Sequence, residues 1–333
     1  MTVPKRYPAP HRAQSAERAL LSATESGCAF ARHETFGPRS GWLPKGFDAA
    51  SRDNGIFLRD DAPTVLGVGK NMARAIRYWT HAFGLLEDVP ADRARVFASR
   101  PTEIGQFLMG RSGRDPYLED AGTLWYLHWR LVRVPQLATS WYFAFGVFPE
   151  IEFTQDQLEA SLRTFVRQTY PAARAVDASL HKDVLCLLRM YGDSPLTGPL
   201  TEESIQCPFA SLGLIRSTGE TKSFAFDLGE KPDLPANVIV AACLEFAAAQ
   251  QQAGRTIALS RLLYDPGSPG LAFKLTESTL SAAVDEVAGR HRALSLSDTA
   301  GLVQMAYRED PLELARDLLA SYYSTATLVG GRA

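Results

Sequence analysis

Cysteine is scarce: four residues in 333, Cys28, Cys186, Cys207 and Cys243, with no CxxC pair. That excludes a zinc ribbon and a disulfide framework, and leaves the thiols as small buried hydrophobes. No apolar run approaches the roughly 20 residues that cross a bilayer, and the opening MTVPKRYPAPHRAQSAERALL has no leader-like apolar core. The expectation is a cytoplasmic protein with no membrane partner. A surplus of positive charge is also missing, because the net charge is -2. A uniformly basic, nonspecific nucleic-acid binder is therefore excluded. The segment Gly67-Val68-Gly69-Lys70 imitates the end of a phosphate-binding loop, but Thr64 stands where the earlier Gly belongs and Asn71 where Ser or Thr would hold magnesium. Nucleotide hydrolysis at this segment is rejected.

The chain is 46% hydrophobic and 22% charged, ordinary for a soluble protein, and its length predicts two or three cores. The charge is distributed unevenly. Residues 1–150 carry 19 Lys and Arg against 15 Asp and Glu, and residues 151–333 carry 16 against 22. Within 66–114 the count is eight cations to four acids. This patch contains LGVGKNMARAIRYWTHAF, residues 66–83, which at 3.6 residues per turn places Met72, Ile76, Trp79 and Phe83 on one face. Lys70, Arg74, Arg77 and His81 fall on another. A helix that reads DNA needs this division, an apolar seat and an outward row of phosphate donors. Asn71, near the free amides of the helix start, is a residue type that reads adenine bidentately. Arg93 and Arg95 extend the same patch. An ordinary amphipathic helix with solvated arginines has the same periodicity.

Element spacing predicts a mainly α chain with short β-hairpins, an α+β fold. A short helix is expected at 13–24, extended chain at 28–36 and a helix at 41–50. The reading helix follows, then a strand pair from VFAS and EIGQFLM between 96 and 109. Helix, helix, reading helix and strand pair is the order of a winged helix. Beyond an acidic loop, 123–132 reads as a buried aromatic helix, and helices are expected at 154–168 and 172–191, the first with Thr154 and Gln157 as a capping box. CPFASLGLIRSTGETKSFAFDLG predicts a hairpin turning at 217–220. Helices at 236–251, 256–265 and 275–291, the last capped by Thr276, precede a hairpin over 293–308, giving a second winged-helix pattern. Its third helix carries Glu277, Asp285 and Glu286 with no cation before Arg290, which suits a protein contact or dimerisation better than phosphate. The predicted organisation is a winged-helix-like DNA-binding domain over 1–150, a helical and hairpin middle over 151–232, and a winged-helix-like domain over 233–333.

Several blocks in one order, HETFGPRSGWLPKGF, LGVGKNMARAIRYWTHAFGL, RDPYLEDAGTLWYLHWRL, ATSWYFAF, CPFASLGLI and SPGLAFKL, resemble the SspB family of bacterial DNA phosphorothioation defence, over about residues 30–280. The resemblance implies a DNA-nicking, dimeric component that works with a cysteine desulfurase, an ATPase and an ATP-pyrophosphatase-type sulfurtransferase. No catalytic residue set comes with it. Strand scission calls for an activated water, charge stabilisation and usually a divalent ion. Two clusters qualify: His33 with Glu34, and the loop of Asp115, Glu119 and Asp120, whose hard oxygens suit magnesium or manganese. No organic cofactor is expected. Structural roles compete for each cluster: Asp115 in a turn before Pro116, Glu119 and Asp120 at the start of a helix, His33 in a core. His128 is expected to be buried, and nothing in the spacing of Tyr78, Tyr117 or Tyr126 marks a nucleophile. No nuclease spacing of the PD-(D/E)xK kind occurs. A noncatalytic recognition and scaffold subunit, and a winged-helix transcriptional regulator, are the alternatives.

Overall fold

The structure, a computed structural model, describes residues 27–90, 97–173, 177–192, 207–250, 254–299 and 301–330. The helix expected at 13–24 and the side chains of Arg93 and Arg95 lie outside them. The elements are α1 (Trp42–Arg52), α2 (Ala62–Leu66), α3 (Lys70–Ala82), β1 (Leu86–Pro90), β2 (Phe97–Pro101), α4 (Glu103–Met109), α5 (Ala121–Val132) and α6 (Thr139–Gly146). Then come β3 (Glu152–Thr154), α7 (Gln155–Thr169), α8 (Asp177–Tyr191), β4 (Ile215–Ser217), β5 (Ser223–Phe226) and α9 (Ala236–Ala249). The remainder is β6 (Thr256–Ala258), α10 (Leu259–Tyr264), α11 (Pro269–Phe273), α12 (Glu277–Ala288), β7 (Leu294–Thr299), β8 (Leu302–Tyr307) and α13 (Pro311–Gly330). The fold is α+β: among the described residues, helices with three small antiparallel sheets, ordered β1-β2, β3-β5-β4 and β6-β8-β7.

Local chemistry explains most boundaries. Gly67, at φ 62°, ends α2 in the left-handed region, and extended Gly69 starts α3 two residues later. Thr154 caps α7 with the expected capping box, and Thr276 accepts from the Thr279 amide at the start of α12. Three expectations are corrected. EIGQFLM is a helix, not a strand: Thr102 accepts from the Gly105 amide as its N-cap, and the strand partner of 97–101 is instead 86–90, directly after α3. Residues 28–36 are not extended, since Ala31, Glu34 and Thr35 all take positive φ in a tight turn. Residues 256–258 form a strand because β8 pairs with them, and only 259–264 is helical. Ser99 of β2 also donates its amide to the Asn54 carbonyl at 2.8 Å, just as β8 reaches back to β6.

Where length predicts two or three cores, the buried side chains form one continuous cluster reaching from Trp42 to Tyr323, across the divisions expected at 150 and 232. Its middle is α5, whose Trp125, Leu127, Trp129 and Leu131 are essentially inaccessible. Two polar ties lock α5 in place. His128 is neutral: its Nε2–H donates to the Ala272 carbonyl at 2.9 Å, and Nδ1 accepts from Tyr191 at 2.8 Å. Burial holds its pKa down at about 3. Glu245 of α9 accepts from Tyr126 (2.7 Å), Trp129 (2.9 Å) and Arg133 (3.2 Å). Burial alone would raise its pKa, but Arg133, Arg130 and these donors outweigh it, and the carboxyl stays below its usual range.

Candidate nucleic-acid interface

Helix α3 presents the predicted faces. Ala73, Ala75, Ile76, Trp79, Thr80 and Ala82 are buried, while Lys70, Asn71 and Arg74 are exposed and Arg77 and His81 half-buried. The seat is close. A Cβ on Gly46 of α1 would lie 2.6 Å from Ile76 Cγ2 and 2.8 Å from Thr80 Cγ2, so only glycine lets the two helices approach this near. The indole N–H of Trp79 donates to the Phe36 carbonyl at 2.9 Å, tying the 31–36 turn to the same helix. No side chain caps the start of α3, which leaves its first amides beside Lys70 and Asn71.

Further along the helix, two carboxylates meet the cations. Arg74 Nη1 lies 3.5 Å from Glu34 Oε1. Asp88 of β1 takes both Arg77 Nη2, at 2.9 Å, and His81 Nε2, at 3.2 Å. The His81 ring, helped by the Arg77 guanidinium and opposed by partial burial, holds the Asp88 carboxyl down at about 2. Across the hairpin, Glu87 pairs with Arg100. Neither Asp88 nor Glu87 was singled out by sequence reasoning. The available signal was a pair of acids at the start of the strand that follows the cationic helix.

The two catalytic clusters are not assembled as expected. His33 and Glu34 part company: His33 is fully buried, its Nε2 2.9 Å from Asp183 Oδ1, and it stacks on Trp79 at 6.1 Å and meets Trp141 edge-on at 5.5 Å. Asp183 also accepts from Ser140 Oγ (2.6 Å) and the Ala31 amide (2.8 Å). This tie fixes the turn and has no access to a substrate. Glu34 points outward to Arg74. The loop of Asp115, Glu119 and Asp120 is likewise an internal clamp. Asp115 is buried and receives the Glu119 and Asp120 amides at 2.9 and 3.1 Å, and Asp120 caps α5 at Thr123 while accepting the Tyr322 hydroxyl at 2.9 Å. A carboxylate ringed by N–H donors is not disposed to ligate a cation. Among the described residues no group of three His, Cys, Asp or Glu could hold a metal ion. Only the Glu119 carboxylate in this loop is exposed and without a hydrogen-bond or ion-pair partner among the described residues. Of the tyrosines considered, Tyr126 is spent on Glu245 and Tyr78 donates to the Leu137 carbonyl at 2.9 Å.

A family model for proteins of unknown function, DUF4007, matches residues 30–323. The chain belongs to the DUF4007 family. Two solved structures resemble this DUF4007 chain closely. One is described as an SspB crystal structure, 38% identical with a TM-score of 0.83, aligned over 91% of this chain and 90% of the other. The second is a magnesium ion-bound SspB crystal structure, also 38% identical at TM-score 0.83, over 89% and 88% of the two chains. At that identity and coverage this is an SspB-family protein. No curated relative matches it. Among the described residues no helix is long and apolar enough to cross a membrane.

Proposed function

We propose that the chain is the DNA-binding component of a phosphorothioation system, contacting the duplex through Lys70, Asn71, Arg74 and Arg77 of α3, with Arg93 and Arg95 between β1 and β2 as further phosphate contacts. The observation that carries the reading is the outward row of cations on a helix seated by buried Trp79 and followed at once by a hairpin. Helix, helix, reading helix and hairpin supports a winged-helix mode in which α3 enters the major groove. Titrating double-stranded DNA at several salt concentrations tests it. Lys70→Ala, Arg74→Ala and Arg77→Ala should each weaken binding and reduce the magnitude of the log affinity against log salt slope by about 0.9 per lost phosphate contact. Unchanged affinity and slope for all three would defeat the assignment.

Nicking is the second reading, favoured by the magnesium bound to the solved relative. The Asp115 loop does not fit a directly ligated ion, so a magnesium ion serving this chain would take one or two carboxylates and keep most of its waters. Glu119 is the available carboxylate. Relaxation of supercoiled plasmid by the purified protein with magnesium or manganese, lost in Glu119→Gln, supports nicking. No relaxation with either ion leaves a recognition and scaffold subunit that positions the sulfurtransferase. The desulfurase, ATPase and sulfurtransferase are the partners proposed with either reading, and the acidic outer face of α12 is the proposed protein contact, including a homodimer. Light scattering at micromolar concentration checks the dimer.

A further inference from the structure

The cationic face of α3 is divided along its length. At the start, Lys70 and Asn71 are exposed, and no ion pair engages Lys70 among the described residues. One turn on, Arg74 faces Glu34, and beyond it Arg77 and His81 share Asp88. The two acids come from different elements, one from the 31–36 turn and one from β1. Both are fixed rather than mobile. Glu34 at φ 51°, Thr35 at 69° and nearby Ala31 at 53° are left-handed non-glycine residues, which costs conformational energy, and the turn is anchored beneath by Asp183, which binds the His33 ring, the Ala31 amide and Ser140. Asp88 is held by antiparallel pairing with Ser99 and by the His81 ring, itself positioned by Nδ1 on the Arg77 carbonyl at 2.8 Å.

We propose that Glu34 and Asp88 are built-in competitors for DNA phosphate, specificity-determining carboxylates that a phosphodiester must displace before Arg74 and Arg77 can bind it. This rests on the DNA-binding reading of α3. A carboxylate and a phosphate offer the guanidinium the same acceptor pair, so each contact made with DNA gives up one made within the protein. Random sequence then engages mainly the free end of the helix. A duplex that also satisfies Asn71 and the groove gains enough to open the second half, so the acids lower nonspecific affinity more than specific affinity.

The experiment compares the full-length protein with Glu34→Gln, Asp88→Asn and the pair, each against random duplex DNA and immobilised heparin, a polyanion without bases. Glu220→Gln, the same charge change in the exposed β4–β5 turn, is the control. Exposed ion pairs are worth about 0.2–1 kcal/mol, so each competitor variant should tighten random-duplex binding about 1.4- to fivefold and elute later from heparin, with a steeper salt slope and no change in the control. In an Arg74→Ala background the gain from Glu34→Gln should vanish, which separates local competition from altered net charge. Equal gains in Glu220→Gln, or unchanged or weaker binding by the competitor variants while the unmodified protein binds, overturns the competitor role and leaves the reading helix standing. Absence of DNA and heparin binding in every form overturns both.

Discussion

The chain contains two segments of similar plan and opposite character. In the first, α1, a short α2, α3 and the β1–β2 hairpin follow one another; in the second, α9, the short α10 and α11, α12 and the β7–β8 hairpin do the same. In each, a helix runs straight into two antiparallel strands, and the second strand pairs back to the stretch after the first helix: Ser99 with Asn54, β8 with β6. What separates them is what their third helices show to the outside. α3 displays Lys70, Arg74 and Arg77, and α12 displays Glu277, Asp285 and Glu286, with Arg290 already paired to Glu286 at 2.6 Å. Backbone plan and surface chemistry vary independently, so function has to be read from the surface of each copy. The second difference is inside. α9 is buried on nearly every side, against α13, α12 and α5, whereas α1 keeps an exposed face.

The comparison breaks most sharply at Glu245. Replacing it with Ala takes from Arg133, Arg130, Tyr126 and Trp129 the buried carboxylate they share, and urea unfolding should show a loss of about 3–5 kcal/mol, larger than any single substitution on the outer face of α3. A loss no greater than that of an exposed ion pair would mean that α9 is not joined to α5 through this site.

Lys274 tests the same interior in the opposite direction. It is buried with no acid partner among the described residues, its Nζ 3.2 Å from the Phe145 carbonyl and 4.0 Å from the centre of the Phe226 ring, and burial lowers its pKa to about 7. The unfolded chain holds this proton up to its ordinary value, 10.5, while the folded protein releases it near 7. Between those limits the unfolded state binds more protons, so this residue makes stability rise with pH across the window, by up to about 1.4 kcal/mol per pH unit. Lys274→Met should flatten that rise and raise the melting temperature at pH 7. An unchanged pH profile would show that the ammonium reaches water.

Gly46→Ala probes the seat of α3 from the other side. The new methyl collides with Ile76 and Thr80, and a loss of about 1–3 kcal/mol is expected from thermal unfolding, together with a displaced α3. The smallest effect sharpens the surface contrast. Glu277→Lys with Asp285→Lys makes α12 nominally basic, yet DNA affinity should move by less than the loss in Lys70→Ala, because the second copy lacks a free asparagine and uncapped amides at its helix start, where Thr276 already binds the Thr279 amide.

Much of this was legible. The two faces of α3, the capping box of α7, the burial of α5 and the hairpin near 298–301 follow from periodicity and cap chemistry within single segments. EIGQFLM was misread although its signals were present: Thr102 as a cap, Glu103 in the first turn, and Ile104, Phe107 and Leu108 at helical spacing. The candidate site fared worse because its acids find their partners far away. His33 meets Asp183 across 150 positions, and Tyr126 meets Glu245 across 119. A local clue did exist: Asp183 falls on the stripe of Leu180, Val184 and Leu187, and Glu245 is the lone charge in α9, and a carboxylate on an apolar face demands a buried partner.

The clasp at Asp120 also bears on time. Its carboxylate caps α5 and receives the hydroxyl of Tyr322, 202 residues downstream, while Tyr323 pairs with Thr123 at 2.7 Å. At ribosomal rates of about 5–20 residues per second, those tyrosines appear some 10–40 s after the helix they close. Through that interval the tryptophan-rich α5 has its cap half made and its aromatic flank uncovered. The nascent chain therefore carries this tryptophan-rich helix incompletely closed throughout, and chaperone binding should concentrate there until synthesis reaches α13.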